Sequence, residues 1–514
     1  MRTILAVFLA SAFLLSSPGV PASADAPLPD SATIYANVRA ARGDYPRDYL
    51  EVLTGSDSNG ATWTEFHYVD GDNYRDDDIS GPIETQEGEY KGDAWHQNAN
   101  GLTVIHAPEP GLATKETFAT TVTRISVPVS GYRVATLSPR GYGTVDYVDQ
   151  TTWQIVREET VGAGGISFET FGPRTVLGGQ KLEQTRHYHD ADTGVDTDIT
   201  VVSFQPSVVA DQDVAIPTNR RTLVEFPPNV TSAVLPTTFR NGRIYVMVTI
   251  DGRGYDFLLD SGSYGIAVDP AAAAKLGLKL FGKEKNDANA GKIDTAGSKI
   301  GSLKIGPLSM RDIIVNVIPV MEENDGVRCI GLLGFDFLAE LGVRIDYDNE
   351  VVRVDKYGSF APPAGPDVNV IPVRLDSQVP FVSATINGAI AERITVDTGG
   401  DGPFLLFNFF ARRHPEALVD RYGGGVRSDL VSFEGVGGEV KTRPYELANI
   451  VLGSTRFVNF IGYLVTSNSY GSAVDGVFGI GFLRYYDVYL DYPDGRIALR
   501  LNATGKRARV KHAR

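Results

Sequence analysis

Two short stretches, Phe257-Leu-Leu-Asp-Ser-Gly262 and Ile394-Thr-Val-Asp-Thr-Gly399, decide how this chain is read. Each is an apolar run that ends in an acid, a small hydroxyl residue and a glycine. A carboxylate at a buried strand end is costly unless it is hydrogen-bonded or shares a proton with a neighbour. The glycine lets the turn pass close beneath the acid, and the hydroxyl can bond across to an opposite turn. One such triplet arises by chance in a chain of this length, so the weight falls on what surrounds the pair.

The surroundings repeat. Val234-Leu-Pro236 matches Val370-Ile-Pro372, and Ile250-Asp-Gly252 matches Ile386-Asn-Gly388, both at an offset of 136 positions. Asp260 and Gly262 match Asp397 and Gly399 at 137. Further on, Gly331-Leu-Leu-Gly-Phe-Asp-Phe-Leu338 matches Gly476-Val-Phe-Gly-Ile-Gly-Phe-Leu483 at 145, and Val343/Val488, Asp346/Asp491 and Tyr347/Tyr492 keep that offset. A register held over such a distance points to an internal duplication.

At 514 residues the chain exceeds one core and should hold about three domains of roughly 150 residues. Its 55 glycines and 42% apolar content favour a mainly β, turn-rich globular protein. The formal charge of −15 argues against nucleic acid or an anionic membrane as partner. Met1-Arg2, the apolar run Ile4 to Leu15 and Ala22-Ser23-Ala24 have the layout of an export signal. An extracytoplasmic protein, periplasmic or secreted, is therefore expected. No later stretch is long and apolar enough to span a bilayer. Cys329 is the single cysteine, which excludes an intrachain disulfide and a cysteine-built metal site.

The expected organisation is a signal peptide at 1–24, an antiparallel β domain at 25–205 and a proline-bearing linker at 206–233. Lobe 1 follows at 234–357, a Pro-rich break at 358–366, lobe 2 at 367–502 and a solvated basic tail at 503–514. In the first domain, alternating runs such as Val122 to Val129, Trp153-Gln-Ile155 and Ile199-Thr-Val201 read as strands. Asp70 to Asp78 lacks the later glycine and glutamate of a calcium loop and reads as an acidic solvated turn. His187 and His189 have the spacing of zinc ligands on one strand face, but no third ligand follows, so no metal is expected. The glycines Gly476 to Gly481 lack the strand-turn-helix setting of a nucleotide loop, and no cofactor is expected.

The first domain is similar in its order of features to the bacterial lipoprotein-carrier (LolA-like) fold, an antiparallel half-barrel closed over helices. Gly143 to Arg157, with Asp146 and Asp149 at its turn, and Phe171-Gly-Pro-Arg174 before Gly178-Gly179 look like hairpins of that fold. The resemblance would imply a lipid or lipoprotein as partner of this domain.

Residues 234 to 502 resemble the aspartic peptidases of the pepsin and retropepsin clan. The resemblance rests on Asp260-Ser261-Gly262 with Ser263, on Asp397-Thr398-Gly399 with Gly400, and on the apolar-apolar-glycine motifs Leu332-Leu333-Gly334 and Val477-Phe478-Gly479. It implies two β-barrel lobes whose aspartates share one proton and activate a water that attacks a peptide carbonyl. Ser261 and Thr398 would bond across the base of the site. Gly400 stands where pepsins carry a hydroxyl, whereas Ser263 would keep that donor on the first carboxylate. Glycine-bearing hairpins around Gly297 and Gly437 are the candidate flaps, and the first has no tyrosine to match the pepsin flap residue. With both acids in one chain, a monomer suffices. A catalytically inactive module that binds peptides or lipoproteins in the envelope stays open as the alternative.

Overall fold

The computed structural model describes residues 27–512 except 107–116, 140, 163–164, 192, 289–290, 321, 325, 377, 419–430, 436–437 and 466–473. Residues 1–24, read from the sequence as an export signal, lie outside the described part. The fold is mainly β, in four large sheets.

The N-terminal sheet has 13 strands, built from successive hairpins that meet where Asp48–Asp57 pairs antiparallel with Val195–Pro206. Alternation sets one face of this sheet inward. At one end the helix Ser31–Arg42 covers it, capped by Asp30, which accepts from Thr33 N–H at 2.8 Å. Its Ile34 packs on Tyr132, Val134 and Val148. In the middle, the hairpin Arg174–Leu177/Gln180–Glu183 lays Leu182 on Tyr49, Leu53, Val69, Val201 and Phe204.

Lobe 1 carries a nine-stranded sheet and lobe 2 an eight-stranded one. Both contain, just before the aspartate turn, a hairpin whose tight turn needs two left-handed residues. These are Asp251 (φ 49°) and Gly252 (φ 77°) in lobe 1, and Asn387 (φ 50°) and Gly388 (φ 95°) in lobe 2. A six-stranded sheet joins the lobes, its middle pair being Leu341–Asp346 against Tyr486–Asp491. One continuous apolar core runs from Ile244, Val246 and Leu259 through Val343 and Val488 to Ile394 and Phe478.

Several expectations change. Asp76, Asp77 and Asp78 lie within the strand Asn73–Ser80, and the turn is confined to Gly71 and Asp72. Their strand is held by pairing on both sides and by Arg75, whose Nε and Nη2 each bond Asp77 at 2.6 Å. Asp149 caps the turn after Gly143–Asp149, but Asp146 sits inside that strand and accepts from the Tyr35 hydroxyl. Gly297 is interior to the strand Gly291–Ile305, between Phe281 and Asn316. A Cβ there would lie 2.2 Å from Ile83 Cδ1 of the N-terminal domain, so this glycine serves domain packing and not a mobile tip.

Residues 206–233 pack closely despite their prolines. Leu223 and Val224 are buried in the shared core, and their N–H groups donate to Glu340 Oε2. The basic tail forms the helix Ala503–His512, whose first turn donates to Asp348. Among the described residues, no helix is long and apolar enough to cross a membrane.

Candidate active site

Each aspartate leaves the end of a strand that runs parallel to an apolar-apolar-glycine strand. In lobe 1, Arg253–Leu259 lies beside Val327–Leu333, and Asp260 N–H donates to Leu333 O at 3.0 Å. In lobe 2, Ala389–Val396 lies beside Gly476–Phe478, and Asp397 N–H donates to Phe478 O at 2.9 Å. The paired apolar residues point to opposite sides, as strand alternation requires. Leu333 and Phe478 enter the shared core, whereas Leu332 and Val477 enter separate small clusters. Gly334 and Gly479 lie against the aspartate turns: a Cβ would sit 2.5 Å from Ser263 O in the first case and 2.6 Å from Gly400 O in the second.

The two turns lock together through their hydroxyls. Ser261 N–H donates to Thr398 Oγ1 at 3.0 Å, and Thr398 N–H donates to Ser261 Oγ at 3.0 Å. Ser261 Oγ then donates to Val396 O at 2.7 Å, and Thr398 Oγ1 to Leu259 O at 2.8 Å. All four bonds are buried, so each lost partner leaves a stranded polar group. Thr398→Ala is expected to cost about 2–4 kcal/mol of stability, with Thr398→Ser close to the native chain. Denaturant unfolding checks this, and an unchanged midpoint for the alanine variant would refute the lock.

The lock brings the acids face to face. A Cβ on Gly262 would lie 2.8 Å from Asp397 Cγ, and one on Gly399 would lie 2.6 Å from Asp260 Cγ. Each glycine is thus required by the carboxyl of the opposite lobe. Gly262 N–H donates to Asp260 at 2.8 Å, whereas Asp397 accepts from both Gly399 (2.7 Å) and Gly400 (2.9 Å). Burial, and after it the Asp397 carboxyl, push Asp260 well above the usual carboxylate range, against the opposing pull of the Gly262 N–H and Arg243. Ser263 does not serve the first carboxylate as expected. Its hydroxyl donates to Gly265 O at 3.0 Å, and the extra donor belongs to the second acid through the Gly400 backbone.

Of the candidate flaps, the lobe 1 hairpin is formed by Phe281–Ala288 and Gly291–Ile305, and the lobe 2 hairpin by Val431–Gly435 and Gly438–Leu452. Gly437 lies outside the described residues. Phe433 on the second hairpin reaches towards the Asp397 turn, 3.6 Å from where a Gly402 Cβ would be, and packs edge-on to Tyr463.

Three groups around the turns were not singled out from sequence. Asp336 is buried behind the Asp260 turn and accepts from Ile266 N–H (3.2 Å), Asn98 Nδ2 (2.8 Å) and Asn100 Nδ2 (3.0 Å). Both asparagines come from the N-terminal domain. Asp475, fully buried, accepts from Glu392 and Arg393 N–H and from Arg413. Arg243 of lobe 1 lies 3.7 Å from Asp401 beside the other turn. A signal for the first was present in the repeat, where Asp336 is matched by Gly481. An acid in one copy alone marks a role outside the shared plan. His187 and His189 each pair with a carboxylate, Asp198 at 2.8 Å and Asp196 at 2.7 Å, on a partly exposed strand face.

Residues 246–337 match the family model for aspartyl proteases. Among solved structures, the chain is similar to an aspartic proteinase from Irpex lacteus, at 13% identity over 53% of this chain and 98% of that one, with a TM-score of 0.33. It is also similar to a DUF1329 family protein from Desulfovibrio piger, at 11% identity over 36% of this chain and 95% of that one, with a TM-score of 0.29. A domain from Vibrio parahaemolyticus assigned to outer membrane lipoprotein sorting matches at 11% identity over 35% of this chain and 94% of that one, with a TM-score of 0.28. No curated protein matches.

Proposed function

We propose that the chain is an exported aspartic endopeptidase whose Asp260 and Asp397 act together on a peptide or protein substrate. The observation that carries this reading is the reciprocal approach of each turn glycine to the acid of the other lobe. Two carboxyls so close cannot both ionise, so one proton is shared between them. A water between them loses a proton to the ionised acid while attacking the substrate carbonyl, and the protonated partner supports the oxyanion. The roles then reverse to protonate the leaving nitrogen. The pair titrates as a unit.

The test is purified protein against a peptide library, with and without a pepstatin-type inhibitor. Inhibitor-sensitive cleavage is expected, and saturable peptide binding without cleavage would favour the inactive module. Because Asp260 is held above the usual carboxylate range, the falling limb of kcat/KM is expected at a pH above that range. Activity is retained while the shared proton is held and lost as pH rises through the raised pKa. Arg243 opposes the rise, so Arg243→Gln should move the limb further up. A limb at about 4, the value of an unperturbed carboxyl, would contradict the shared proton. Export through residues 1–24 belongs to the same proposal, and cell fractionation checks it.

A further inference from the structure

We propose that the inner face of the N-terminal sheet holds a divalent transition-metal ion, of the zinc type, between Glu65, His67 and Asp76. Strand register builds this place. Glu51 on Asp48–Asp57 stands opposite His67 on Thr62–Asp70, which stands opposite Asp76 on Asn73–Ser80, which stands opposite Glu87 on Ile83–Tyr90. Glu65 and Asp78 form the adjoining row on the same face. One ligand atom each from Glu65, His67 and Asp76 can be chosen so that all lie within 4.8 Å of one another. Three such atoms can surround one ion at ~2.0–2.2 Å, and one imidazole with two carboxylates suits a zinc-type ion.

The side chains are held ready. His67 Nδ1 is hydrogen-bonded to Asp76 Oδ1, so an ion here takes the place of the bridging proton or is met by the imidazole's other nitrogen. The imidazole lies between the rings of Tyr49 and Tyr74, at 5.8 and 6.2 Å. His67 and Asp76 keep 25% and 18% of their side-chain surface exposed, which leaves a way in from solvent.

A second, independent observation is Glu51. It is 6% exposed, and its Oε1 has no hydrogen-bond partner. Arg186 Nη2 lies 3.8 Å from that Oε1, an ion-pair distance too long for a hydrogen bond, and the cross-strand neighbours of Glu51 are Phe204 and His67. One guanidinium at that distance answers the buried carboxylate only in part, and a cation beside His67 would add to it. The strand register brings further carboxylates to the same rows, Asp78 opposite Glu65 and Glu87 opposite Asp76. Such a face suits a cation and opposes an acyl chain. Nothing here depends on the peptidase reading.

The test uses the full chain, stripped with EDTA and dialysed, titrated calorimetrically with ZnCl2 and MnCl2. Saturable uptake of one ion per chain is expected. His67→Asn and Glu65→Gln should each weaken it at least ~10-fold, and His187→Asn should leave it unchanged. The Co2+-loaded chain should show visible absorption that His67→Asn alters. Circular dichroism confirms that each variant is folded, and the more conservative Glu65→Gln carries the test if His67→Asn is not. Absence of saturable uptake, uptake unchanged in the folded Glu65→Gln variant, or loss on His187→Asn would overturn the site. Tight binding of oligolysine with no metal uptake would overturn it too, and would give the face to a polycation.

Discussion

Asp260→Asn and Asp397→Asn are each expected to lower kcat/KM for peptide hydrolysis by about a thousandfold or more, with no loss of folding stability. An asparagine keeps the oxygen that accepts from the turn N–H groups of Gly262, or of Gly399 and Gly400. It cannot take the proton of an attacking water or hold the one shared with the opposite acid. At Asp260 folding is unaffected or improved, because the substitution removes a charge that burial and a like neighbour both disfavour. Groups that work as a unit are not additive, so the double variant should be no slower than the worse single one. Initial rates on a cleaved peptide and thermal melting of the same samples decide the matter. Unchanged cleavage in either variant would remove the pair from the reaction. Lost cleavage together with a collapsed melting transition would reassign the acids to structure.

The legible part of this protein was the part governed by local rules repeated twice. Asp-Ser/Thr-Gly turns need a glycine where the opposite acid comes close, and both positions, Gly262 and Gly399, proved to be such contacts. The hairpin turns Asp251-Gly252 and Asn387-Gly388 were equally readable, since left-handed backbone favours these residues. What escaped was set by contacts between distant segments. Whether Asp76 to Asp78 formed a turn or a strand depended on partners on both sides, which composition does not reveal. Gly297 resembled a mobile tip, yet it is glycine because Ile83, more than two hundred positions earlier, packs against it. Ser263 illustrates a finer limit, since the path of its loop, which composition does not reveal, gives its hydroxyl Gly265 O as acceptor.

The same long-range logic makes the N-terminal domain part of the candidate active site's support. The double variant Asn98→Ala/Asn100→Ala is expected to lose about 3 kcal/mol or more of stability, two hydrogen bonds to a charged group being removed. It would leave Asp336, 4% exposed, with the Ile266 N–H as its remaining donor among those bonds. The deficit should depend on pH in a defined direction. Burial holds Asp336 at about 6, above the ordinary 3.8, so the folded chain keeps this proton more readily than the unfolded one. The stability from this group is full below the ordinary value and falls as pH rises through about 6. Without the asparagine donors the ionised form is disfavoured further, so the variant's deficit is largest above that pH and shrinks in acid. Adding Asp336→Ala should recover part of the loss, because the stranded charge goes with it. Peptide hydrolysis should fall as well, since Gly265, whose Cβ would lie 2.7 Å from Asp336 Oδ2, belongs to the turn that carries Asp260. Chemical denaturation at several pH values measures the first effect and kcat/KM the second. A fragment of residues 234–514 that folded and cleaved at the native rate would show the domain to be a separable cover. On the bonds seen here, and with Leu102 and Val104 buried in the lobes' own core, that fragment should not fold.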